Sequence, residues 1–184
     1  MNFEIKCDDA DLASITREKV IYSYEFFKNL FGVGDVFFKI KIYNSRESFN
    51  MALGRKTEDW EVGNTRGDTI EIISMKSKDF TSSHKSEEFF SILKHEIGHI
   101  FFYAKFETSA PMWLNEGICS FYSTPKSGII PSRKLNLLDN LSLDQMHTSM
   151  DFRAVDSLIR YELVWIVVNE IISKFGEEKL KRFI

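Results

Sequence analysis

Residues 86–105 read SEEFFSILKHEIGHIFFYAK, and the reading of this stretch decides the rest. The spacing predicts a helix over Ser86–Lys105. Phe89, Phe90, Ile92, Leu93, Ile97, Ile100, Phe101 and Phe102 spread round nearly its whole circumference. A helix that is apolar on almost every side is buried on most of them, so polar residues inside it need a reason. His95 and His99 stand four apart, which puts both imidazoles on one face, one turn apart, where they can hold one ion together. Glu96 is angled beside such an ion and not at it, and there its carboxylate can take a proton from water. The other reading of the string is a pair of core histidines bonded to backbone or carboxylate. Burying two histidines and a glutamate without partners costs on the order of several kcal/mol. A metal ion removes most of that cost, and imidazole with carboxylate is a zinc ligand set.

Two histidines leave a catalytic zinc one protein ligand short. Downstream, residues 111–117 read PMWLNEG. If the first helix ends near Ala104, it runs about 7.5 Å beyond His99. The chain then turns over Lys105–Ala110, and Pro111 suits the first turn of a returning helix that reaches about Tyr122. In an antiparallel pair Glu116 comes back level with His99. Trp113, Leu114, Ile118 and Phe121 mark this second helix as buried with Glu116 inside it, against the alternative of a solvated Asn-Glu-Gly turn.

HEIGH followed by PMWLNEG resembles the gluzincin metallopeptidases, and most of all the small peptidase-MA-like domains, whose second motif runs Pro-x-Trp-Leu-x-Glu-Gly. The likeness covers at most residues 60–184. It extends to the closing segment Tyr161–Phe183, a tyrosine followed by an apolar run, Phe-Gly and a short amphipathic helix. The resemblance implies a zincin-like core and a zinc-dependent peptidase. One zinc ion would be held by His95, His99 and Glu116, with Glu96 as general base. It makes Tyr161 the candidate donor to the oxyanion, with plain core packing as the other reading of that residue. It also implies that Thr69–Ser74, the strand before the motif helix, is a sheet edge that pairs with an extended peptide, as against an ordinary buried strand.

The chain departs from the family in two places. It has no Gly-x-Met-x-Asn segment, the amine-binding motif of the long aminopeptidases, so endopeptidase action is expected. Ser120 stands where thermolysin-like enzymes carry an aspartate, so another group must orient the imidazoles; Asp139, Asp144 and Asp151 are the candidates. Cys119, one turn from Glu116, is read as a small buried residue and not as a ligand. His147 is read as a surface histidine and His84 as solvated loop. Gly98 costs about 1 kcal/mol relative to alanine inside a helix, which points to close approach of a neighbouring element.

Outward from the motif, Asp9–Phe31 reads as a helix on Leu12, Ile15, Lys19, Tyr22, Phe26 and Leu30. Val36–Tyr43 reads as a strand, Ser45–Leu53 as a short helix capped by Ser45, and Gly54–Gly67 as loop. Loops 54–67 and 123–141 would flank the cleft. A short helix over Ser142–His147, a long one over Asp156–Phe175 and a brief C-terminal helix close the chain. The tally is an α+β protein, mostly helical with a small sheet of two or three strands. It reads as a single domain over 1–184, with residues 1–85 a helix plus small sheet and residues 86–184 a helical half that carries the metal site.

Composition agrees. The chain has 184 residues, 43% hydrophobic and 28% charged, which excludes a disordered or fibrous class. Its 17 phenylalanines imply an aromatic core. A net charge of −3 leaves no basic face for nucleic acid. No apolar run approaches the roughly 18 residues that span a membrane, and the start has acidic residues where a signal peptide needs basic ones. Cys7 and Cys119 make no disulfide framework. For the chain as given, these features predict a cytoplasmic protein that acts on peptide or protein substrates and binds neither membrane nor nucleic acid. The competing function is a zinc-containing peptide- or protein-binding domain with little turnover. It would favour an altered Glu96, and Glu96 is intact.

Overall fold

The computed structural model describes residues 1–107, 109–124 and 142–184. Thus Asp139, and all but the first two residues of loop 123–141, lie outside the described residues. The chain divides into two compact units, Met1–Ala104 and Lys105–Ile184.

The first unit mixes helix and sheet. Strand β1 (Asn2–Lys6) leads into α1 (Ala10–Phe31), which crosses over to β2 (Phe37–Tyr43). Then come α2 (Arg46–Leu53), β3 (Gly63–Arg66), β4 (Thr69–Ile73), the single turn α3 (Lys78–Thr81) and the long α4 (Phe89–Phe106), which a 3-10 turn at Ser86–Glu88 introduces. Sheet order is β1-β2-β4-β3, with the first three strands parallel and β3 antiparallel to β4. Parallel neighbours need a crossover connection, and α1 supplies it between β1 and β2. Phe38, Ile40, Ile70 and Ile72 are fully buried. The Tyr24 and Phe101 rings meet edge-on at 5.0 Å, and Phe38 lies 6.4 Å from Phe101. The Tyr24 hydroxyl is buried but satisfied: it donates to Val36 O and accepts from Val36 N–H. This aromatic core explains why nearly all of α4 belongs with the sheet.

The sheet and α1 differ in detail from the sequence expectation. The sheet has four strands, because Asn2–Lys6 and Gly63–Arg66 are strands as well. Residues 54–67 are therefore not all loop. Thr69–Ile73 is not a sheet edge, since β2 pairs on one side and β3 on the other; the outer strand is β3. Helix α1 forms as expected, from an Asp9 cap whose carboxylate accepts from Leu12 N–H to a left-handed Gly32, but of the expected stripe only Leu12 and Leu30 are buried. Leu12, Thr16, Val20, Tyr24, Phe27 and Phe31 face inward, while Ile15 and Tyr22 are exposed.

The loop before β3 is tied down from α2. The Arg46 guanidinium donates to Thr57 Oγ1 and to the carbonyls of Glu58, Asp59, Glu61 and Asp79, at 2.7 to 3.3 Å. His84 is not plain solvated loop. It is half-buried, with ring nitrogens 2.9 Å from Trp60 O and 3.0 Å from Glu88 Oε2. It joins the same loop to the start of α4.

The second unit is helical among its described residues: α5 (Met112–Ser123), a 3-10 turn at Leu143–Met146, α6 (Ser149–Ala154), α7 (Ser157–Phe175) and α8 (Glu177–Phe183). Met146, Phe152, Leu163 and Val164 form its core, with Trp113 and Tyr161 packed against them. Helix α5 lies close on α7: a Cβ at Gly117 would stand 2.8 Å from the Val164 carbonyl oxygen. Buried Arg160 donates to the carbonyls of Phe152, Arg153 and Val155, at the end of α6. No described helix is long and apolar enough to cross a membrane. Cys7 and Cys119 are both free thiols.

Candidate metal centre

In the first unit the site begins with the middle of α4. Residues 96–102 are all buried, and His95 is half-buried at their start. The helical repeat stacks the two imidazoles. Their Nε2 atoms lie 3.0 Å apart, with ring planes at 89°. Lys94, one residue before, is turned against α1, with its Nζ 4.2 Å above the Phe26 ring. Burial there pulls the Lys94 pKa below the usual lysine value.

Glu96 is buried at 7% exposure, and its partner comes from the sheet. The Thr65 hydroxyl donates to Glu96 Oε2 at 2.6 Å and lies 3.0 Å from the Glu96 main-chain carbonyl. Two positions earlier on β3, a Cβ at Gly63 would stand 3.0 Å from Glu96 Oε1 and 3.0 Å from Ile92 Cγ2. A two-residue hairpin builds this edge. Arg66 pairs with Thr69 across Gly67-Asp68, and Gly67 takes a φ of 59°, which glycine adopts without strain. Ile73 N–H donates to Val62 O at 2.8 Å. By the alternation of an antiparallel ladder, Asn64 and Arg66 then turn their main-chain groups toward β4 as Val62 does, and Gly63 and Thr65 turn theirs outward. Among the described residues no strand pairs with that outer side.

In the second unit, residues 114–120 of α5 are all buried, Glu116 among them at 6% exposure. The Cys119 thiol donates to Asn115 Oδ1 at 3.5 Å within the same helix. His95, His99 and Glu116 each offer one ligand atom, and these atoms all lie within 4.8 Å of one another. Two imidazole nitrogens and a carboxylate oxygen could hold a metal ion.

The remaining candidates are placed as follows. Tyr161 stands on α7, half-buried, its ring edge-on to Phe152 at 5.4 Å with the Arg160 guanidinium over it. Asp144 is exposed. The Asp151 carboxylate is occupied in the capping box of α6, where it accepts from the Thr148 hydroxyl and N–H. Those bonds, the hydroxyl's first, hold its pKa below the usual carboxylate range. His147 is exposed, and its carbonyl accepts from Met112 N–H at the start of α5. Thr65 and Gly63 were not foreseen as site residues. The one local signal near them is Gly67-Asp68 just before the β-prone run Thr69–Ile73, a two-residue hairpin turn. Comparisons with protein-family models, with curated proteins and with solved structures give no match to this chain.

Proposed function

We propose that the chain is a zinc-dependent peptidase of the gluzincin type, with a zincin-like core, that cuts peptide bonds within peptide or protein substrates. One observation carries the reading. Ligand atoms of His95, His99 and Glu116 come within 4.8 Å of one another, while Glu96, next to His95 in the chain, is outside that group and is held by Thr65. Three ligands and a spare carboxylate are what metal-assisted hydrolysis requires. The donor set fits zinc. Bonds of about 2.0–2.1 Å in a tetrahedral shell place two nitrogens about 3.3 Å apart, and the imidazole Nε2 atoms stand at 3.0 Å.

Bound there, zinc would acidify water and polarise the substrate carbonyl. The other steps belong to side chains. Glu96 accepts a proton from the attacking water as the water adds to the carbonyl carbon. It returns that proton to the amine nitrogen as the C–N bond breaks. Tyr161 is the proposed hydrogen-bond donor to the oxyanion. The substrate lies extended along the open side of β3, paired with the outward main-chain groups of Gly63 and Thr65.

Metal analysis with mutants tests the reading. Purified protein is expected to carry about one zinc per chain. Glu116→Ala loses the metal. Glu96→Gln keeps it and no longer hydrolyses a generic protein substrate. Metal-free wild type, or full zinc retention in a His95→Ala/His99→Ala double mutant, refutes the proposal. Tight zinc binding without cleavage of any member of a peptide library supports a zinc-containing binding domain instead.

A further inference from the structure

The two oxygens of the Glu96 carboxylate have different neighbours on one strand. Oε2 is gripped by the Thr65 hydroxyl at 2.6 Å, a length typical of a hydroxyl on a charged carboxylate. Oε1 passes over Gly63, where there is no side chain and where a Cβ would stand only 3.0 Å away. The Glu96 carbonyl, 3.0 Å from the hydroxyl oxygen, is a second and longer acceptor for the same single proton. Threonine is stiff at χ1, so on a strand it makes a short rigid strut. Thr65 is also one of the two β3 residues whose main-chain groups face the open edge.

On the hydrolytic reading given above, we propose that Thr65 is a positioning residue for the general base. Its hydroxyl fixes Glu96 by Oε2 and leaves Oε1 for the attacking water, while its own main chain pairs with the substrate. Aligning the base and seating the peptide then run through one residue. A free glutamate carboxylate turns about its terminal bond and samples many orientations; one held at a single oxygen keeps the other aimed, and reaction rates fall steeply when such aim is lost. The hydroxyl carries most of the role, and the β-branch adds stiffness.

Three variants of the full chain test this, each loaded with zinc: Thr65→Val, which keeps the shape without the hydroxyl, Thr65→Ser, which restores it, and Glu96→Gln as the inactive reference. Thr65→Val is expected to hold wild-type zinc and lose about 10- to 100-fold in kcat, with KM little changed. Thr65→Ser should recover most of kcat. A readout independent of turnover is the crystal structure of each zinc-free variant. Glu96 should take more than one rotamer in Thr65→Val and one rotamer in Thr65→Ser. Wild-type kcat in Thr65→Val, a serine variant no better than valine, or an unchanged single Glu96 rotamer in Thr65→Val each overturns the positioning role. Failure of the hydrolytic reading looks different: wild type would then be no faster than Glu96→Gln whatever stands at position 65, and the inference falls with its premise.

Discussion

One methyl group is enough to test how closely β3 fits the motif helix. At Gly63 an added Cβ would meet Glu96 Oε1 and Ile92 Cγ2, both at 3.0 Å, so one of the two side chains must give way. Gly63→Ala is expected to cost about 1–3 kcal/mol of stability, the usual range for overpacking, measured by urea unfolding. On the proposed function it should also lower hydrolysis while zinc content stays at the wild-type level, because Glu96 moves and the proposed ligands do not. Unchanged stability would show that strand and helix have room to separate. The residues of the site were unequally legible. His95, Glu96 and His99 stand within five positions on one helix, where spacing alone fixes their relative places. Glu116 could be placed by counting along a second helix and by the resemblance. Thr65 and Gly63 could not, because they meet Glu96 from about thirty positions away, through a strand pairing that no local pattern near the motif records. His84 was misread for the same reason: its partners Trp60 and Glu88 lie on either side of it in sequence and meet only when the loop folds back.

At the scale of elements, α5 and α7 depend on a missing side chain. A Cβ on Gly117 would stand 2.8 Å from both the Val164 carbonyl oxygen and Val168 Cγ2. The backbone oxygen cannot turn aside as a side chain can. Gly117→Ala should therefore push α5 away from α7 and destabilise the second unit by about 1–3 kcal/mol or more, read as a lower unfolding midpoint. On the proposed function zinc affinity should fall with it, because Glu116 is the preceding residue. An alanine variant with wild-type stability and zinc affinity would contradict the close packing. Helices were the legible elements here: their caps and apolar repeats are local, and α1, α2, α5 and α7 lie within a residue or two of their expected bounds. The stripe that α1 buries was less legible, because Ile15 and Tyr22 obey the same spacing as the true inward face. Strands fared worst. β1 is only five residues and β3 only four, too short for alternation to stand out, and β3 is a strand chiefly because β4 lies beside it.

For the molecule as a whole, the mixed helix-and-sheet class was readable from element order, and the 17 phenylalanines did announce the core. Where the chain divides was not readable, since that depends on α4 packing its rings against Tyr24 and Phe38. The Arg46 clamp has a consequence for survival. An enzyme that cuts peptide chains lives among its own copies, and an exposed loop tip is where one copy would nick another. Loop 54–62 has that exposure and contains Arg55 and Lys56, yet five oxygens in and beside it are tied to one guanidinium. Cleavage must wait for local opening, and the clamp makes opening rare. Arg46→Ala should fold but be cut by trypsin after Arg55 or Lys56 far sooner than wild type, as followed by intact-mass measurement. Equal digestion rates would show that the clamp protects nothing. If the chain is the peptidase proposed here, the same variant should slowly shorten itself in storage, so one half-buried arginine would set the working lifetime of the enzyme.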